Sequence, residues 1–299
     1  MNYSIGLDIG GTKIAGAIFD EAMNVCGEML LPTPDSYDAF LKVCRDVVVG
    51  LEQKVNAKAT IGIGVPGIID RAKGSVCAVN IACLNEQNFH SDVQKILDRT
   101  VNLANDANCA ALSEAKDGAG AGYGVVFGII LGTGVGGGLV VDGKIVAGRN
   151  GLAGEWGHIP LPYREAADGP MAACACGQIG CIEKTICGAA LGRLYEMHTG
   201  ERIDARDVVK RAGQGEGTAT AVLDHFYTVI AKCFVAIIHA YDPDVIVVGG
   251  GMNDLPELYD KVPQRWNKFI LGKKADVAFV RAKHGATSGI RGAAWAGRG

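Results

Sequence analysis

The chain has 299 residues, 48% of them hydrophobic, 20% charged and 6% aromatic, enough apolar mass to bury one or two cores and too much for a disordered chain. Lysine and arginine total 29 against 32 acidic residues, a net charge of −3 with no basic block, so a nucleic-acid partner held by counterion release is not expected. The longest apolar stretch, Thr228 to Ala240, is broken by Lys232, and the run Ile5 to Ile9 carries Asp8 with no basic region before it, so neither a bilayer span of ~20 residues nor a secretory leader is expected and the compartment should be the cytoplasm.

In chain order, strands are predicted at Tyr3 to Ile9, Ile14 to Phe19 and Val25 to Leu31, a meander interrupted by GGTK and by Asp20 to Asn24. After a PTP turn, apolar residues at helical spacing predict a helix from Tyr37 to Lys54, then a buried strand from Thr60 to Val65 that stops at Pro66-Gly67. A short helix at Asp92 to Leu97, a strand at Val101 to Ala104 and a helix at Asp106 to Lys116 opened by an Asx residue complete the first half. Strands at Tyr123 to Leu131, Gly138 to Val141 and Lys144 to Val146 then repeat the strand, Gly/Thr turn, strand, hairpin order, with Thr12 and Thr133 in matching turns. Helices at Glu183 to His198, Thr218 to Tyr241 and Leu255 to Phe269, strands at Val245 to Val248 and Asp276 to Val280, and an Ala-rich helix at Gly289 to Trp295 that packs back on the first half follow. The pattern predicts an α/β protein of two related lobes with a cleft between them.

Glycine is the compositional outlier: 43 residues, about twice the usual ~7% share, placed in short clusters rather than linkers. DIGGTK (Asp8 to Lys13), LGTGVGGG (Leu131 to Gly138) and Gly249-Gly250-Gly251 each follow a strand. One such loop is as readily a plain tight turn, but three at strand ends point to backbone N–H groups gathered around a triphosphate. They match neither GxGxxG nor GxxxxGK[ST], so a dinucleotide fold or P-loop is not supported.

NDAN (Asn105 to Asn108) sits where a strand gives way to a helix. A carboxylate there can take the proton of a hydroxyl that attacks phosphorus, making Asp106 the candidate base; taken alone, the segment reads rather as a helix capped by Asp106. His158 lies 16 positions before a CxC and CxxxxC set, Cys174, Cys176 and Cys181, donors suited to a closed tetrahedral zinc site with a structural role. Gly177 and Gly180 give the loop the turns a chelate needs. Cys26, Cys44, Cys77, Cys83, Cys109 and Cys233 read as core thiols and Cys187 as helix core.

Together DIGGTK, NDAN, LGTGVGGG, GEWGH, CACGQIGCIE and DPDVIVVGGGM resemble the ROK family of bacterial sugar kinases and repressors, over essentially the whole chain. The resemblance implies an actin-like ATPase fold of two RNase H-like lobes: residues 1–118 with a returning helix at 284–299, and residues 119–283 with the zinc loop and adenosine site. It further implies ATP with Mg²⁺, a structural Zn²⁺ and a homodimer. By position, Asp106 matches the family's catalytic aspartate, and Gly67, Asn80, Asn105, Glu155, His158 and Glu183 match sugar-hydroxyl contacts, His158 serving sugar and zinc through different ring nitrogens. The ATP site would comprise Gly10, Gly11, Thr12, Lys13, Gly132, Thr133, Gly134, Gly249 and Gly250, with Asp8 orienting the Mg²⁺ and its waters.

The implied reaction is in-line transfer of the γ-phosphoryl group to a primary sugar hydroxyl. A sugar-responsive repressor is the rival, disfavoured because seven residues before Asp8 leave no room for a helix-turn-helix; a silent sugar-binding module is a second. PTPDSYDAF and GVGGGLVVDGK are similar to N-acetylglucosamine kinases, whereas CLNEQNF, NGLAGEWGH and KHGATSGIRGAAW are similar to the fructokinase and mannokinase branch, leaving the sugar open between N-acetylglucosamine and fructose.

Overall fold

Short runs rich in Val, Ile and Gly form the meander β1 (Tyr3–Ile9), β2 (Lys13–Phe19) and β3 (Val25–Pro32). The computed structural model describes residues 2–70, 73–78 and 81–299. Helix α1 (Tyr37–Val55) turns one stripe inward, Phe40, Cys44, Val47, Val48 and Leu51, and ends at left-handed Asn56, φ 50°. β4 (Ala59–Val65) is followed by a hairpin absent from the sequence reading, β5 (Ile68–Asp70) and β6 (Ser75–Cys77), whose three-residue strands are too short for a periodic signal. Then come α2 (Phe89–Leu97), β7 (Asn102–Asn105) and α3 (Asp106–Asp117).

The second pass holds β8 (Val125–Leu131), β9 (Val135–Val141), β10 (Lys144–Ile145), α4 (Ile182–Ile186), α5 (Gly188–Thr199) and α6 (Ala205–Gly213). It continues with α7 (Gly217–Tyr241), β11 (Val245–Gly249), α8 (Leu258–Trp266), β12 (Ala278–Arg281) and α9 (Ser288–Gly297). The two large sheets have the same order, β3-β2-β1-β4-β7 and β10-β9-β8-β11-β12. In the first, β1 pairs antiparallel with β2 and parallel with β4; in the second, β11 pairs parallel with both β8 and β12. The repeat read from two Gly/Thr turns is thus a repeat of topology.

One compact unit comprises Met1–Gly122, Gly138–Ala153 and Lys283–Gly299, and the other Tyr123–Gly137 and Gly154–Ala282. The end of β9, all of β10 and the following loop therefore go with the first unit, whereas the sequence boundary kept 119–283 together. Gly136, Gly137 and Gly138 belong to β9 and not to a loop, because the flanking valines extend the strand. The single helix expected over 183–198 is broken at Cys187, whose backbone is extended, φ −71° and ψ 167°. The helix expected over 255–269 is confined to Leu258–Trp266.

In the first unit α9 lies directly on β1, β4 and α3. A Cβ on Gly6 would come 1.9 Å from the Ile290 carbonyl oxygen, and one on Gly62 would come 1.8 Å from that of Ala293. In the second unit the core helix is α7, which by length and composition could cross a bilayer yet is largely buried. The lysine interrupting it, Lys232, is 1% exposed and reaches both Asp168 oxygens at 3.0 and 2.9 Å and Glu165 at 2.9 Å, so the break in the apolar run is a buried charge that carries its own partners. Cys44, Cys109, Cys187 and Cys233 are buried, but Cys26 and Cys77 are exposed and Cys83 is half-buried, correcting their assignment to the core. Cys26 alternates outward on β3 and Cys77 on β6.

Candidate active site

Asp8 occupies the penultimate position of β1, opposite Ala15 on β2 and Gly64 on β4. A carboxylate held between two strands loses much of its hydration. Burial, with the neighbouring Asp106 carboxylate adding to it and Lys13 opposing, raises its pKa to about 6. Gly289 in α9 lies so close that a Cβ there would sit 3.3 Å from Asp8 Oδ2. Immediately beyond, the Gly10 N–H donates to the Lys13 carbonyl at 2.9 Å and closes the hairpin, while Gly11, Thr12 and Lys13 are exposed.

Asp106 is the first helical residue of α3, and the cap is its neighbour: Asn105 Oδ1 accepts the Asn108 N–H at 3.1 Å. This disposes of the reading of Asp106 as the cap itself. Asp106 Oδ1 accepts the Ala107 N–H at 2.8 Å, and burial holds its pKa above the ordinary carboxylate value against that bond. The other end of the Asn105 amide donates to the Gly67 carbonyl at 3.1 Å, tying the GVPG turn to the start of α3. Gly67 has φ +97°, and a Cβ would come 2.1 Å from the Cys77 carbonyl. Asn80 lies outside the described residues. A cavity of about 340 Å³ in this unit is lined by Asn105, Asn108, Lys116, Ile145 and Trp295, but neither Asp8 nor Asp106 is among its walls.

In the second unit, two glycine loops leave the carboxyl ends of adjacent parallel strands, β8 and β11, where Gly249 pairs with Ile130. Their closeness is built from backbone: the Met252 N–H donates to the Leu131 carbonyl at 2.9 Å, and the Gly188 N–H to the Gly132 carbonyl at 2.9 Å. A Cβ on Gly250, φ +87°, would come 2.4 Å from the Leu131 carbonyl oxygen, and one on Gly132 would lie 3.5 Å from the Gly251 nitrogen. Clefts at the carboxyl ends of parallel strands are the usual ligand positions in α/β sheets.

His158, Cys174, Cys176 and Cys181 bring their donor atoms within 4.8 Å of one another. Zinc bonds of ~2.0–2.3 Å in a tetrahedron require ligand atoms about 3.5–3.8 Å apart. Cys174 Sγ lies 3.5 Å from His158 Nδ1, and Cys176 Sγ lies 3.6 Å from Cys181 Sγ, so the donor set fits that ion. With Nδ1 turned to the thiols, His158 Nε2 faces Glu155 at 3.7 Å. Glu183, in the first turn of α4, receives the Cys174 thiol at 3.6 Å and the Lys184 ammonium at 3.1 Å. Burial pushes its pKa up, but the Lys184 contact prevails and the carboxyl stays below its ordinary value. A Cβ on Gly134 would come 3.1 Å from Glu183 Oε2. Glu155, His158, Glu183, the thiol cluster and the Gly132–Gly134 loop are therefore grouped within one unit. Lys184, the partner that keeps Glu183 ionised, was not singled out from sequence; adjacency to a predicted site carboxylate was its only signal.

The family model described as "ROK family" matches residues 4–298. The chain belongs to the ROK family. An N-acetyl-D-glucosamine kinase of Escherichia coli O139:H28 (strain E24377A / ETEC) is 38% identical over 295 residues, 97% of each chain. The crystal structure of a ROK hexokinase from Thermus thermophilus superposes with a TM-score of 0.86 at 30% identity, over 98% of this chain and 97% of the other. A ROK family glucokinase from Streptomyces griseus, solved with glucose and AMPPNP, gives 0.77 at 29% identity over 99% of each chain. With these ROK structures the fold is of the actin-like ATPase type, and the duplicated sheet order above is its signature in this chain.

Proposed function

We propose that this ROK protein is an ATP-dependent sugar kinase that phosphorylates the primary hydroxyl of N-acetylglucosamine. The observation that carries the reading is the carboxylate pair of the first unit: Asp106 heads α3 with a raised pKa, and Asp8 stands at the strand end that leads into the glycine hairpin. Asp106 takes the proton of the sugar hydroxyl as that oxygen bonds to the γ-phosphorus and the bond to ADP breaks. A base so placed contributes ~10²–10⁴-fold. Gly10, Gly11, Thr12 and Lys13, with Gly132, Thr133, Gly134, Gly249 and Gly250, would hold the triphosphate, and Asp8 would orient a Mg²⁺ ion, which when bound supplies charge neutralisation.

Asn105, Gly67, Asn80, Glu155, His158 and Glu183 would receive the sugar hydroxyls. Zinc held by His158 Nδ1 and the three thiols would be structural, fixing the imidazole so that Nε2 is presented to the sugar beside Glu155. The choice of N-acetylglucosamine rests on the 38% identity to the Escherichia coli kinase over 97% of the chain. An ADP-release assay across fructose, mannose, glucose, N-acetylglucosamine and N-acetylmannosamine tests it. The highest kcat/KM is expected for N-acetylglucosamine. A higher value for fructose would move the protein to the other branch, and inactivity with all five would remove the kinase reading.

A further inference from the structure

The segment Pro32-Thr33-Pro34, which begins at the last residue of β3, carries no part of the site described above, yet it touches the phosphate hairpin twice. Thr33 Oγ1 donates to the Gly10 carbonyl at 2.7 Å, and the Thr33 N–H donates to the Thr12 carbonyl at 3.1 Å. Gly10 itself closes on the Lys13 carbonyl. The carbonyls of Gly10, Thr12 and Lys13 are thus all held by protein donors. By contrast, no hydrogen bond among the described residues uses the N–H of Gly11 or Thr12. An anion needs that polarity, with oxygens tied back and N–H groups left over.

The flanking prolines explain why Thr33 can hold this post. Pro32 has a fixed φ, and Pro34 drives the preceding residue into extended geometry, so Thr33 loses little freedom when it bonds the hairpin. We propose that Pro32-Thr33-Pro34 is a rigid clamp on the Gly10–Lys13 hairpin, with Thr33 a positioning residue that aims the Gly11 and Thr12 N–H groups at the nucleotide phosphates. This deepens the kinase reading and rests on the hairpin being the phosphate site.

Titration calorimetry with AMPPNP and Mg²⁺ on the full chain separates the two. Thr33→Val keeps the N–H and the shape but deletes the hydroxyl donor, and loss of one such bond to a carbonyl should raise Kd about tenfold. Thr33→Ser should restore it to within about twofold, with the melting temperature of Thr33→Val lowered by no more than the ~4 °C that one hydrogen bond is worth and the KM for the sugar substrate unmoved. Those last readouts exclude a general structural defect. Gly11→Glu, which sets a carboxylate against the phosphates, reports on the hairpin itself. If Gly11→Glu weakens AMPPNP while Thr33→Val does not, the clamp is wrong and the hairpin reading stands. If neither changes Kd, both fall. A Thr33→Val defect that Thr33→Ser fails to rescue, or that extends equally to the sugar, also overturns the clamp.

Discussion

Asp8 and Asp106 are carboxylates whose ionised forms the fold disfavours, which bears on the pH dependence of stability and, under the proposed function, of turnover. For Asp8, raised from 3.8 to about 6 by burial first and by Asp106 second, the unfolded chain gives up the proton earlier than the folded one. Stability is therefore lost as pH rises from about 4 to 6, and the penalty is complete above that window. Asp8→Asn should stabilise the ligand-free protein by about 2–3 kcal/mol at pH 7.5, and the gain should vanish below pH 4; urea melts at the two pH values check it. On the proposed roles turnover should run the other way, because a base at Asp106 and a Mg²⁺ partner at Asp8 both require the ionised form. The acid limb of kcat/KM should fall near pH 6 instead of near 4, and saturating Mg²⁺ and nucleotide should move it to lower pH in kcat. Asp8 was legible in sequence as a charge at the end of an apolar strand. Its coupling to Asp106 was not, since the two are adjacent only after β1 and the start of α3 are brought together.

At the scale of elements, the first unit depends on α9. A Cβ on Gly292 would come 1.7 Å from the Cys109 carbonyl in α3, and those on Gly6 and Gly62 would strike the backbone of α9 itself. The helix is admitted only because these positions, and Gly297 facing Gly62, lack side chains. Its entry is fixed by Glu114, which is 3% exposed and accepts the N–H groups of Ala119, Lys283 and His284 and the hydroxyl of Ser288. Gly292→Ala should cost at least about 3 kcal/mol, since backbone cannot yield as a side chain would; the denaturation midpoint checks it. The Ala-rich pattern of 289–295 foretold a helix packing back on the first half, which α9 does. Glu114 gave no such sign, because a buried carboxylate paired with four donors looks in sequence like any helical glutamate. Helix periodicity likewise missed the break at Cys187, where the residues on both sides keep helical spacing.

Across the whole molecule, the first unit is assembled from three separate stretches, the last being Lys283–Gly299. Strand order repeats between the two large sheets, and that repeat was readable from the Gly/Thr turns because each turn is flanked by strands of similar length. Unit membership was not, because the transfer at Gly138 occurs inside β9, where no change in composition marks it. A chain ending at Ala282 would leave the faces of β1, β4 and α3 uncovered. It should show no cooperative melting transition for the first unit by calorimetry, and a normal two-unit thermogram would contradict this. The chemistry proposed for the assembled protein turns on one side chain. Asp106→Asn, compared with wild type for ADP release and for equilibrium binding of N-acetylglucosamine, should lose ~10²–10⁴-fold in kcat while sugar affinity stays within about threefold; a variant that turns over at the wild-type rate would contradict the assignment of Asp106 as the base.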